Sequence, residues 1–305
     1  MEKLKGMIAA TFTPMNAAGE INLQAIENYA EWIASTAIKG VFVCGTTGEF
    51  SSLTTEERKL ILEKWITCAQ NRFLVMAHVG SNCLKESVEL ARHAEKSGAD
   101  AIASIAPSFF KPATVTDLVN FFTPVAKAAP SLNFYYYNMP SMTGVNLPVD
   151  TFLTEGKTQM PNLAGVKFTH NNLMEMEACI ELNNRQFEVF HGYDEILLSG
   201  IAMGASAGVG STYNYLPEIY DGIFKAMANN DLDTARKLQQ VSIKTVEVII
   251  KHGGGVRGGK AIMNLIGLNL GECRSPISTL PDREYAELKA ELDAIGFKNP
   301  LKQTT

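Results

Sequence analysis

No apolar stretch of the chain approaches the roughly 20 residues that a membrane span needs. The start, Met1 to Gly6, carries three charges and none of the apolar core of a signal peptide. A soluble, cytosolic protein without a membrane partner is expected. Clustered positive charge is also missing: 27 Lys and Arg stand against 32 Asp and Glu, a net charge of -5, with no basic run or basic helix face to follow a phosphate backbone. Nucleic acid is therefore not expected as a partner. The five cysteines, Cys44, Cys68, Cys83, Cys179 and Cys273, are odd in number and never closely paired, which argues against both a disulfide framework and a thiolate zinc site. His78, His93, His170, His191 and His252 show no metal-ligand spacing, so no metal is expected.

What is present is a long series of short apolar runs separated by helical patterns. At 305 residues and 46% hydrophobic, the chain can bury one large α/β core or two ordinary ones. Eight runs read as strands: Met7 to Thr13, Gly40 to Cys44, Phe73 to His78, Ala101 to Ile105, Leu132 to Tyr137, Leu163 to Phe168, Phe187 to His191 and Ala205 to Gly210. Between them apolar residues recur on one helical face, as in Leu23, Ile26, Ala30 and Ile33, or Leu84, Val88 and Ala91. Thr54 with Glu57, and Thr114 with Asp117, have capping-box spacing.

Eight β-then-α units predict an α/β fold, a (β/α)8 TIM barrel, over residues 1–228. A doubly wound open sheet is the rival, but it usually places a glycine-rich turn after its first strand, where this chain has Thr11-Phe12-Thr13-Pro14. The alternation stops near Asn229, and residues 229–305, including Thr234 to Lys251 and Asp282 to Ala294, read as a C-terminal helical extension. Within it, Gly254 to Lys260 fits the Gly-x4-Gly-Lys spacing of a nucleotide loop. The next residue is Ala261, which lacks the magnesium-binding hydroxyl, so a flexible helix-helix connection is the expectation.

Chemistry in such a barrel sits at the C-terminal strand ends. Lys167 lies in the apolar run of the sixth strand. Burial would lower its pKa and make the amine a nucleophile toward a carbonyl carbon; a strand-end lysine reaching back to water is the plain alternative. The second strand runs into Gly45-Thr46-Thr47-Gly48-Glu49, whose hydroxyls and amides suit a carboxylate or phosphate, or which is simply a tight turn. The fifth ends in Tyr135-Tyr136-Tyr137, where alternation sends Tyr135 and Tyr137 to one face as packing groups or as an acid/base. Thr169 points the same way as Lys167. Gly192-Tyr193-Asp194-Glu195 and Gly210-Ser211 follow the seventh and eighth strands, with carboxylates that could bind hydroxyls or cap a helix.

Three motifs in order, Gly-Thr-Thr-Gly-Glu at 45–49, Tyr-Asn-x-Pro at 137–140 and Gly-Val-Lys at 165–167, resemble those of the lysine-dependent pyruvate aldolases, the dihydrodipicolinate synthase and N-acetylneuraminate lyase family. The resemblance covers nearly the whole chain. It implies a Schiff base between Lys167 and a 2-keto acid such as pyruvate, no metal or other cofactor, and a homotetramer. It implies that Thr46 and Thr47 hold the substrate carboxylate and that Tyr137, with Thr46 as a relay, moves protons.

Synthases of this family typically carry an arginine where this chain has Met142, so the clamp on a second carboxylate is missing. Thr169, Gly192, Asp194, Glu195 and Ser211 resemble instead the groups that bind a hydroxylated sugar tail in the sialic acid lyases. Cleavage of sialic acid to pyruvate and N-acetylmannosamine is the expectation. An aldolase for another 2-keto-3-deoxy sugar acid, a pyruvate-condensing synthase, and a non-catalytic acid-binding barrel are the alternatives. At Phe109-Phe110, where many members place a tyrosine that reaches a neighbouring subunit, a packing role is expected.

Overall fold

A computed structural model describes residues 4–302; Met1 to Lys3 of the charged start and residues 303–305 lie outside the described residues. The first half runs β1 (Gly6–Ala10), α1 (Ala25–Ala34), β2 (Gly40–Val43), α2 (Thr55–Ala69), β3 (Leu74–His78), α3 (Leu84–Ser97), β4 (Ala101–Ile105) and α4 (Val115–Lys127). It continues through β5 (Asn133–Asn138), the single turn α5 (Pro140–Thr143), α6 (Val149–Gln159), β6 (Leu163–Phe168) and α7 (Leu173–Arg185). Then come β7 (Glu188–His191), α8 (Leu197–Ala202), β8 (Ala207–Gly210) and α9 (Pro217–Ala228). Three helices complete the chain: α10 (Leu232–Lys251), α11 (Gly254–Ile266) and α12 (Asp282–Ala294).

All eight strands pair in parallel in chain order, and β8 closes on β1, giving the expected closed barrel with helices between strands and a helical C-terminal extension. Strand alternation divides the core in two. Ile8, Phe42, Met76, Tyr135, Tyr137 and Phe190 fill the lumen, while Tyr136 and the opposite faces of the strands pack under the helices. The first strand ends at Ala10, earlier than its apolar pattern suggests. Thr11 and Thr13 stay buried but leave the ladder, and the Thr13 hydroxyl donates to the Gly48 carbonyl at 2.7 Å.

Both expected capping boxes form, at Thr54 with Glu57 and at Thr114 with Asp117, fixing where α2 and α4 begin. One expectation fails. Gly254 to Lys260 is not a flexible connection but the start of α11, in which Gly258 and Gly259 lie close against Ile249 and Phe12. Phe109 and Phe110 pack edge-on against each other, 5.0 Å between centroids, and are 78% and 86% exposed on the single chain.

Candidate active site

The register of β5 against β6 sets Tyr137 directly beside Lys167 at the C-terminal ends of their strands. Lys167 does not reach back to water: it is 4% exposed, and Nζ lies 4.0 Å from the centroid of the Tyr137 ring and 4.3 Å from that of Phe42. Burial strips hydration from the ammonium and brings its pKa down to about 7, with the Asp194 carboxylate pulling the other way. Near neutral pH a large fraction of this amine is therefore unprotonated, the state in which its lone pair can attack a carbonyl carbon.

The Tyr137 hydroxyl is 3.1 Å from Thr46 Oγ1 and also donates to Met139 Sδ at 3.0 Å. Burial pushes the phenol up to about 12, and the hydroxyls of Thr46 and Thr169 oppose that shift. The phenol thus keeps its proton at neutral pH and can pass one on as it accepts another. Thr46 sits in the turn after β2, which is bracketed by Cys44 and Glu49, two non-glycine residues with left-handed φ of 55° and 59°.

Asp194 reaches the site from the loop after β7. Its Oδ2 accepts from the Thr212 amide at 2.9 Å and from the Thr212 hydroxyl at 2.6 Å, and its carbonyl accepts from Gln239 Nε2 of α10 at 3.1 Å. Burial raises this carboxyl to about 6, against the hydrogen bonds from Thr212. Two glycines make room: a Cβ at Gly210 would lie 1.6 Å from Asp194 Oδ1, and one at Gly192 would lie 2.0 Å from Thr169 Oγ1. Substituting either would expel the polar group facing it.

One cavity of about 460 Å³ at this end of the barrel gathers the residues to which the resemblance gave site roles, Thr46, Thr47, Tyr137, Lys167, Thr169, Gly192, Asp194, Glu195 and Ser211, but not Tyr135. Its lining also includes the apolar Met142, Val246, Ile249, Ile250 and Ile277. A volume in this range accommodates a small polyfunctional molecule. Among the described residues there is no group of His, Cys, Asp and Glu that could hold a metal ion.

Sequence reasoning missed the supports. Thr212 was legible only as the end of the glycine-and-hydroxyl run Gly208 to Thr212 at the eighth strand, with no role attached to it. His78 gave none. It is buried, with Nδ1 2.8 Å from the Cys44 carbonyl and Nε2 accepting from the Ile105 amide at 3.3 Å, and its ring meets Tyr137 edge-on at 5.9 Å. Burial and the nearby Arg58 guanidinium hold its pKa well below the usual histidine range, so it is a neutral strut.

A closed parallel barrel whose strand ends converge on a buried amine, a phenol and paired hydroxyls defines an enzyme of the parallel-barrel class. The chain belongs to the dihydrodipicolinate synthetase family, whose sequence profile matches residues 3–295. It is 43% identical over 298 residues to the N-acetylneuraminate lyase of Gallus gallus, covering 96% of this chain and 97% of that protein. Among solved structures, the Proteus mirabilis N-acetylneuraminate lyase superposes with a TM-score of 0.94 at 35% identity, covering 97% of this chain and 100% of that one. The Ruminococcus gnavus sialic acid aldolase, solved as a catalytic lysine mutant, superposes with a TM-score of 0.92 at 30% identity, covering 97% of each chain.

Proposed function

We propose that the protein is a Schiff-base aldolase that reversibly cleaves N-acetylneuraminate into pyruvate and N-acetylmannosamine. The observation that carries the reading is the Lys167 amine, buried against Tyr137 and Phe42 in a cavity that also presents the hydroxyls of Thr46, Thr47, Thr169 and Ser211 and the carboxylates of Asp194 and Glu195. The similarity to N-acetylneuraminate lyases over nearly the whole chain supports the choice of substrate.

In this mechanism the unprotonated Lys167 amine adds to the keto carbon of the open-chain sugar acid, and loss of water leaves a protonated imine. The Thr46 and Thr47 hydroxyls and the amides of their turn hold the carboxylate. A base takes the proton from the hydroxyl two carbons from the imine. The bond between that hydroxyl-bearing carbon and the carbon adjacent to the imine then breaks, and its electron pair flows into the imine to give an enamine while the hydroxyl carbon leaves as an aldehyde. Tyr137, 3.1 Å from Thr46 Oγ1, is the group that relays this proton. Protonation of the enamine and addition of water release pyruvate and free Lys167. The lysine is the sole covalent carrier, and the steps as written call on no metal or other cofactor.

Asp194, Glu195, Thr169 and Ser211, with the backbone at Gly192, bind the hydroxylated tail, since a buried hydroxyl left unpaired would cost about 1 to 3 kcal/mol. Met142 stands where a synthase would need a cation for a second carboxylate, which weighs against the condensing alternative. A homotetramer and a cytosolic setting belong to the same reading; the exposed Phe109–Phe110 pair is an apolar surface that a second copy could cover. A panel of sialic acid, keto-deoxy-gluconate, and pyruvate with aspartate semialdehyde tests the assignment. Turnover of sialic acid well above the other two is expected, and preference for either of the others would replace it.

A further inference from the structure

The glycine-rich stretch that mimics a nucleotide loop in sequence opens α11 and ends on Lys260, whose side chain is 1% exposed. Its glycines let the helix come close. A Cβ at Gly259 would lie 2.8 Å from Phe12 Cζ, and one at Gly258 would lie 3.0 Å from the Ile249 carbonyl oxygen. At that approach Lys260 Nζ lies 2.9 Å from Glu49 Oε1 and also donates to the Glu272 carbonyl. The other carboxylate oxygen of Glu49 accepts from the Arg274 amide at 2.8 Å, and the Glu49 side chain has no exposed surface. Both oxygens are thus gripped by the C-terminal extension.

Glu49 closes the turn that carries Thr46 and Thr47. Its own amide donates to the Thr46 carbonyl at 3.0 Å, so the position of Glu49 is transmitted directly to the threonine backbone. The turn begins and ends on left-handed non-glycine residues, a conformation that needs outside support to persist. A fully buried ion pair adds little net stability over an apolar pair, because both charges lose their hydration; what its directional hydrogen bonds do supply is a fixed geometry.

We infer that Lys260 and Glu49 are a positioning pair through which the C-terminal helices set the two threonines that grip the substrate carboxylate. The inference rests on the carboxylate role proposed above for Thr46 and Thr47. Neither residue lines the cavity, so the pair acts through the turn and not on the substrate.

The test compares Lys260→Met and Glu49→Gln with the unaltered protein, measuring borohydride-trapped adduct against ketone concentration together with a thermal melt. Glu49→Gln keeps an acceptor for Lys260 and decides the matter if Lys260→Met does not fold. For pyruvate, the half-saturating concentration is expected to rise about tenfold while the trapping rate at saturation stays within about twofold. Acetone, which has the keto carbon but no carboxylate, should be trapped as before. An unchanged half-saturation for pyruvate, or an equal loss for pyruvate and acetone, overturns the inference. Absence of any adduct with the unaltered protein overturns instead the aldolase reading beneath it, and the inference with it.

Discussion

Tyr137 and Lys167 are directly paired across β5 and β6, and the lysine ammonium lies 4.0 Å from the centre of the tyrosine ring. This pairing fixes the separation of nucleophile and proton relay by backbone hydrogen bonding, not by loop conformation. It also keeps the amine out of water, so one relationship sets both the geometry and the reactivity of the site.

The rate of imine formation should therefore follow deprotonation of Lys167. Measured by single-turnover borohydride trapping of pyruvate, it is expected to rise about tenfold per pH unit below about 7 and to level off above that. A rise that continues toward pH 10 would mean that burial leaves the amine as an ordinary lysine.

Burial of the same amine has a stability consequence. An ordinary lysine titrates near 10.5 and this one at about 7, so between those values the unfolded chain holds a proton that the folded chain does not. Stability rises with pH across that window, and the penalty is largest below it. Lys167→Met should remove the penalty, stabilising the protein near pH 6 by on the order of a few kcal/mol and flattening this part of the profile. Paired denaturant titrations at pH 6 and pH 9 measure both effects.

Removing the Tyr137 hydroxyl should spare binding and slow chemistry. Tyr137→Phe keeps the ring beside Lys167 and is expected to lower kcat by about 10² to 10³ with KM changed only a few-fold. A full steady-state analysis of sialic acid cleavage separates the two parameters.

Asp194→Asn combines two effects with different readouts. Losing an acceptor for the hydroxylated tail should reduce kcat/KM for sialic acid about 10- to 100-fold, while pyruvate trapping persists. Because the Asp194 carboxylate holds the Lys167 pKa up, the trapping midpoint should also move below its unaltered value. Unchanged discrimination among sugar acids would remove Asp194 from the substrate-binding set.

Much of this was legible in the sequence because barrel strands are buried on both faces and so appear as short apolar runs, all eight of which form. The terminal residues were less so: Phe73 and Leu132 are apolar and buried, yet they precede β3 and β5, since burial alone does not require ladder pairing. The polar cavity-lining residues could be found because strand ends are where such folds place chemistry. Their supports could not. Lys260 and Glu49 are 211 positions apart, and α11 contains Gly258 and Gly259, whose low helix propensity is offset by close packing that only the folded chain displays. His78 sits in an apolar strand with no partner nearby in sequence, and its roles as strut for Cys44 and wall for Tyr137 arise from two other strands.

The most direct measurement is borohydride reduction of the protein in the presence of pyruvate, followed by mass mapping of the modified peptide. The account predicts a single stoichiometric adduct on Lys167, and no adduct or cleavage of sialic acid with Lys167→Ala. An adduct on another lysine, or sialic acid cleavage that survives Lys167→Ala, would contradict it.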